Sequence, residues 1–336
     1  MNSTPSAVAF ARTRRLFAML AQTALVLTFV VIVASAFMRH TQAGLGCAYW
    51  PSCYARVVAE VPPAPPSIGV HIARALHRLA ASAAFLLIVG MLLMARAAQS
   101  CRRERALAAA ALVIALWLAV LGIATPDAEL PAVPLGNLIG GYLMLAVLAA
   151  LAGNVANGAG EHGRATPSRL RGLAVALLAA VFVQAALGGL IGTQFALQAC
   201  PALDHCGPAG DAFARGAALD PFQRPVVVSG HVVPPAGAGG LHSLHRALGI
   251  AIALAASALA YALRSSNRRG AALLAGLALA APMLGATAIL RMPSLTVTVL
   301  HNAVAAAMIA TLAFLLAHTV TQPARLRLSA TYGAGD

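Results

Sequence analysis

The chain has 336 residues, 60% of them hydrophobic and only 10% charged, with a mean hydropathy of +0.82. A soluble globular protein carries about 25% charged residues, so this composition excludes a soluble domain and points to a membrane protein. All 23 basic residues are arginine, against nine acids, for a formal net charge of +14. On a membrane chain that excess records topology before it suggests nucleic acid, and no nucleic-acid partner is expected.

Apolar stretches of about 20 residues, the length that crosses a hydrocarbon core of roughly 30 Å, fall at 16–37, 69–95, 106–125, 132–153, 170–194, 240–263, 270–290 and 294–318. Backbone groups in lipid must be satisfied internally, so these spans are expected to be helices. Their alanine content favours close packing. The first span has a basic start and small residues at Ala34 and Ala36, as a signal peptide would, but its apolar run is too long for one and reads as an anchor.

Arginines cluster before span 1 (Arg12, Arg14, Arg15), between spans 2 and 3 (Arg96, Arg102, Arg103, Arg105) and between spans 4 and 5 (Arg164, Arg169, Arg171). Further groups separate spans 6 and 7 (Arg264, Arg268, Arg269) and follow span 8 (Arg325, Arg327). An eight-span chain puts all five segments on one face, so both termini are expected in the cytoplasm. Cys47 and Cys53 then lie outside after span 1, Cys200 and Cys206 outside after span 5, and Cys101 alone inside. The equal spacing and oxidising side predict disulfides Cys47–Cys53 and Cys200–Cys206, with metal-binding thiols as the weaker alternative.

The halves repeat. Thr41-Gln42 with Leu45 before Cys47 is echoed by Thr193-Gln194 with Leu197 before Cys200, and His77-Arg78 on span 2 by His245-Arg246 on span 6. Four spans per half make the repeat parallel, about an axis along the membrane normal. The expected fold is an all-α integral membrane protein of two parallel-repeat four-helix bundles. The expected divisions are residues 1–155, a cytoplasmic linker at 156–169, residues 170–320 and a cytoplasmic tail at 321–336.

Ionisable residues within spans are costly and mark function. His71, Arg74, His77 and Arg78 lie on span 2, His242, His245 and Arg246 on span 6, and His301 on span 8. His77, His245 and His301 are expected at similar depth near the external side. His245 and His301 sit on facing helices and suit a haem iron between two imidazoles, with Arg246 beside it for a propionate. Hydrogen bonding between helices or a proton path is the equally weighted alternative. In the first half the place of His301 is read as Asn137, with Gly140 and Gly141 either leaving room for a planar ligand or packing helices closely.

His242 reads as an interface residue rather than a partner of the site. His40, His162, His205, His231 and His318 read as solvated loop or span-end residues. Tyr49, Trp50 and Pro51 suit either a lid over the bundle or interfacial anchoring.

The run Gly44-Leu45-Gly46-Cys47-Ala48-Tyr49-Trp50-Pro51-Ser52-Cys53, His77-Arg78, the QAALGGLIGT stretch from Gln184 to Thr193, Cys200 with Cys206, His245-Arg246 and His301 together resemble haem A synthase, the COX15/CtaA family. The resemblance runs from about residue 15 to 320. It implies an oxidoreductase that converts a methyl group of haem O to the formyl group of haem A for cytochrome oxidase biogenesis. It further implies a haem b between His245 and His301, and haem O received by the first half. His77 is then a substrate-haem ligand, with Arg74, Asn137 and Arg78 as its neighbours.

Three positions depart from the family pattern, all in the first half. Arg74 stands where an acid is usual, Asn137 where a second histidine is usual, and Tyr49 where an aspartate precedes Trp-Pro. A non-catalytic membrane protein that binds haem b for electron transfer or haem delivery is the alternative function; a parallel-repeat transporter is weaker. The implied setting is the bacterial inner membrane. The partners implied are haem O, the lipid bilayer, haem O synthase, an electron donor or acceptor and a further copy of the chain.

Overall fold

The computed structural model describes residues 7–45, 54–56, 67–124, 130–158, 167–200, 202–203, 206, 212–290 and 294–318. Among them eight helices are long and apolar enough to cross a membrane. These are α1 (Ala7–Gln42), α2 (Ile68–Met94), α3 (Arg102–Ala124), α4 (Ala132–Gly158), α5 (Ser168–Thr193), α7 (Ala238–Leu263), α8 (Arg268–Leu290) and α9 (Leu295–His318). They match the eight apolar stretches within a few residues, except that α1 continues well beyond both ends of its stretch. The chain is thus a multi-pass, all-α membrane protein.

Neighbour relations follow two cycles. α1 packs on α2 and α4, and α3 on the same two; α5 packs on α7 and α9, and α8 on that pair. The seam between the cycles is chiefly α4 against α9, with α1 on α9 and α4 on α5 beside it. Small residues permit it. A Cβ at Gly153 of α4 would stand 2.7 Å from the Phe314 carbonyl oxygen and 3.1 Å from Ala317 Cβ of α9, and one at Gly189 of α5 would stand 2.6 Å from Leu135 of α4. Only a missing side chain lets these backbones approach so closely. Tyr142, Leu145 and Ala149 of α4 are buried there with Ile309 and Leu312 of α9, whereas Leu79, Leu86 and Leu93 of α2 are left on an outward, lipid-suited face.

Polar groups within the helices are met locally. Thr28, Thr41, Thr193, Ser257 and Thr298 each bond the carbonyl four residues earlier, which removes the cost of an unsatisfied hydroxyl in lipid. At the start of α3, Glu104 accepts the Cys101 N–H at 3.1 Å, the back-reaching half of a capping box. Its carboxylate, 2% exposed, also holds Arg14 of α1 through two bonds of 2.6 and 2.7 Å. Asn267 caps α8 through the Gly270 N–H at 2.9 Å.

The segment between α5 and α7, read from sequence as loop, contains a 3-10 turn (Ala196–Ala199), a short helix α6 (Ala212–Leu219) and a hairpin of β1 (Val226–Val228) and β2 (His231–Val233). Ser229 and Gly230 both take positive φ, 49° and 79°, as a two-residue type I′ turn requires. The hairpin reaches the other cycle's loop: the Val232 N–H donates to the Ala55 carbonyl at 2.8 Å, and Arg56 bridges His231. Leu45, Tyr54, Ala55 and Val232 close a small apolar core under it, and burial pushes the Tyr54 phenol above its ordinary pKa.

Candidate functional site

His245 of α7 and His301 of α9 face one another across the second cycle, with ring centres 6.4 Å apart and planes at 65°. They are the eighth and seventh residues of their helices, so at 1.5 Å per residue both lie about 10 Å from the helix starts. His77, the tenth residue of α2, has a similar depth, about 14 Å.

Each imidazole of the pair is approached from another helix. His301 Nδ1 lies 3.0 Å from the Ala281 carbonyl, immediately before Pro282 inside α8. A carbonyl can only accept, so Nδ1 carries the hydrogen and Nε2 presents its lone pair. Gln184 of α5 donates from Nε2 to the His245 carbonyl at 2.9 Å and sits 3.4 Å from the ring Nε2, while ring Nδ1 is buried without a partner. Glycines shape the surroundings. A Cβ at Gly188 would come within 3.0 Å of His245 Cε1, one at Gly285 within 3.4 Å of His301 Cε1, and one at Gly249 within 2.9 Å of Gln184 Nε2.

Among the described residues no three His, Cys, Asp or Glu side chains come together as a bare metal ion would need. Two opposed imidazoles suit instead a metal that arrives with its own planar set of nitrogens. Cys200 and Cys206 form the disulfide that their spacing predicts. Arg246 holds that loop, donating to the Cys200, Ala202 and Leu203 carbonyls at 3.3, 3.1 and 3.0 Å. Cys101 has a free thiol; Cys47–Cys53, Tyr49, Trp50 and Pro51 lie outside the described residues, as do His162 and His205.

The first cycle is arranged differently. His77 and Arg74 are half-buried on α2, Arg78 is exposed, and none of the three has a hydrogen-bond partner among the described residues. Asn137 is half-buried on α4. The space beside Gly140 is filled: a Cβ there would run into the Trp117 indole of α3, and Gly141 faces Ile32 of α1. Close packing is therefore the role of this glycine pair. Gly136 also faces α3, toward Leu121 and Trp117, as His301 faces α8.

Several residues escaped the sequence reading. His242 is not an interface residue but a buried one, 4% exposed, with neither ring nitrogen partnered among the described residues. His40 is not solvated. It faces Asn302 of α9 at 3.4 Å and Gly192 of α5, and its neighbour Arg39 reaches the same asparagine. His318 stacks on Phe314. Gln184 and Gly188 belong to the QAALGGLIGT stretch, whose polar residue within an apolar span was the available signal.

Comparison with known proteins agrees with this layout. The family model described as COX15-CtaA, cytochrome oxidase assembly protein, matches residues 70–313. A protein of Shewanella oneidensis named heme A synthase is 28% identical over 316 residues, covering 86% of this chain and 92% of its own. Matched from α2 into α9, the chain belongs to the COX15-CtaA family of cytochrome oxidase assembly proteins.

Proposed function

We propose that the protein is a haem A synthase, an oxidoreductase that converts a methyl group of haem O to the formyl group of haem A for cytochrome oxidase. The observation that carries this reading is the opposed pair His245 and His301. Two imidazoles on opposite sides of one metal, each at a metal–nitrogen distance of about 2.0–2.1 Å, put their ring centres about 6 Å apart, and the observed separation is 6.4 Å. The unpartnered His245 Nδ1 and the missing side chain at Gly188 support the same fit.

His245 and His301 would hold a haem b as resident cofactor, which supplies one-electron redox chemistry when bound. The chain does the positioning. The Ala281 carbonyl fixes the His301 tautomer, leaving its Nε2 as the ligating atom. Gln184 ties the α7 backbone at His245 to α5 and fixes the height of that imidazole. Arg246 draws the disulfide loop onto the start of α7 and so closes the site toward solvent.

In the first cycle His77 binds the substrate haem O, with Arg74, Arg78 and Asn137 around it. The residues 1–155 and 170–320 then form a substrate unit and a cofactor unit, related as parallel repeats. The farnesyl tail of haem O lies against the apolar helix surface or lipid. The setting proposed is the bacterial inner membrane with both termini cytoplasmic, where haem O synthase and an electron donor or acceptor are met.

A second reading, a haem-b-binding protein for electron transfer or haem delivery, is favoured by one observation: Trp117 occupies the space beside Gly140 on α4. Co-expression with a source of haem O, followed by haem extraction, separates the two. Haem A in the extract is expected; only haem O and haem B from folded, haem-loaded protein would leave the second reading standing.

A further inference from the structure

A charged group sits in the seam between the two cycles with no opposite charge among the described residues to meet it. Arg39, near the end of α1, turns inward and its NH2 lies 3.5 Å from Asn302 Oδ1 of α9, at the outer limit of a hydrogen bond. A guanidinium has five N–H donors, and this one has no carboxylate partner among the described residues. By contrast Arg14, near the other end of the same helix, is held bidentately by Glu104. A cation inside a helix array in lipid is expensive unless paired. The side chain does not follow the usual escape along the helix to water, because its contact is to the eighth residue of α9, next to His301.

The groups around it are polar, neutral and arranged about one point. Asn302 Nδ2 bonds the Thr298 carbonyl at 2.9 Å and faces His40 Nε2 at 3.4 Å. Tyr142 of α4 donates to the Asn302 carbonyl at 3.4 Å. His40 also abuts α5 at Gly192, one turn beyond the Gly188 that touches His245. Four helices, α1, α4, α5 and α9, thus converge on one cationic group beside the histidine pair, a setting that suits an anion. We infer that Arg39, flanked by His40 and Asn302, is a carboxylate site that takes a propionate of the tetrapyrrole held by His245 and His301. The inference rests on the haem reading above. It makes one helix of the first cycle part of the cofactor site of the second, through the bidentate pairing that arginine and carboxylate favour.

The test uses the full-length protein in detergent, loaded either with haem b or with its dimethyl ester, which lacks both carboxylates. Haem loss to excess apomyoglobin and the midpoint potential of the bound haem are followed optically. The native protein is expected to retain haem b roughly tenfold better than the ester, the size of one charge-assisted hydrogen-bonded contact. Arg39→Gln should lose most of that preference and lower the potential, since removing a nearby positive charge favours the ferric form. Arg39→Lys, which keeps the charge and guards against a folding defect in the first variant, should retain the native potential with intermediate retention. Arg264→Gln, whose side chain stacks on Tyr261 at the far end of α7, is the control and should change neither. A native preference and potential that survive Arg39→Gln unchanged would overturn the site while leaving the haem reading intact. Native protein that binds no haem at all would overturn the haem reading itself, and the site with it.

Discussion

The histidines of the two cycles are held in different ways. The His301 imidazole is fixed by the Ala281 carbonyl, and His245 is tied at its backbone by Gln184, which also lies 3.4 Å from its ring Nε2. His77, at a similar depth on α2, has no such partner among the described residues, and Arg78 beside it is exposed where Arg246 is clamped on three carbonyls. Ligands fixed in advance cut the cost of binding, which suits a group that stays. A ligand left unfixed suits a molecule that must enter and leave.

The hardest test of that contrast removes the imidazoles one at a time. His245→Ala or His301→Ala should abolish the low-spin haem spectrum of the purified protein, because one remaining imidazole cannot maintain six-coordinate iron. His77→Ala should keep that spectrum and lose haem A formation. Loss of the spectrum in the His77 variant, or its retention in both others, would erase the division of labour between the cycles.

A smaller effect separates the cycles by stability. Glu104→Ala leaves the Arg14 guanidinium without its buried carboxylate and unpins α1 from α3 at the start of the first cycle. The cost should be roughly 3 kcal/mol, the lower end for breaking a buried pair, read as a lower midpoint for thermal loss of α1–α4 contacts by cross-linking or proteolysis. The haem spectrum, which reports the second cycle, should survive at temperatures where the first has loosened. Simultaneous loss would mean that the α4–α9 seam makes the cycles one cooperative unit.

How far this layout could be read from the chain differs between cycles. Span length and hydropathy suffice for the eight helices, because lipid leaves the backbone no alternative. The Cys200–Cys206 link and the depth of the histidines follow from spacing alone. What spacing cannot supply is rotation about a helix axis. Spacing makes Asn137 the counterpart of His301, whereas in the structure it is Gly136 that faces α3 as His301 faces α8. A one-residue shift turns a side chain by about 100°, enough to change which helix it meets. His40 and His242 were misplaced for a related reason: a span-end position says how deep a residue lies but not whether it points to water or into a seam. The hairpin was missed because Val226–Val228 and His231–Val233 are only three residues each, too short for an alternation to stand out.

The loop over the second cycle gives the next test. Cys206→Ser opens a six-residue link that should contribute about 2 kcal/mol, and Arg246→Gln removes three donated bonds to the same loop. Either change should speed haem loss from the second cycle without altering its spectrum. Arg246 and the disulfide act on one loop, so the double variant should cost less than the sum. Full additivity, measured as haem retention, would show that they act separately.

The smallest change addresses the histidine itself. In Gly188→Ala the new methyl would stand 3.0 Å from His245 Cε1, tighter than ordinary contact, so the imidazole must give by a few tenths of an ångström or turn. Alanine is the better helix former by about 1 kcal/mol, which offsets part of the crowding, and overall stability should change little. Turning the ring would disturb the Gln184 contact at its Nε2, so the strain would fall on any bond that the imidazole makes to a metal. A shifted haem absorption or a changed electron-spin resonance g-tensor is therefore expected at near-native stability. A glycine substitution in the first cycle, Gly140→Ala, drives a methyl into the Trp117 indole and should instead cost roughly 1–3 kcal/mol through overpacking with the haem signal unmoved. An unchanged signal in Gly188→Ala would mean that His245 is not the ligand whose surroundings this glycine shapes.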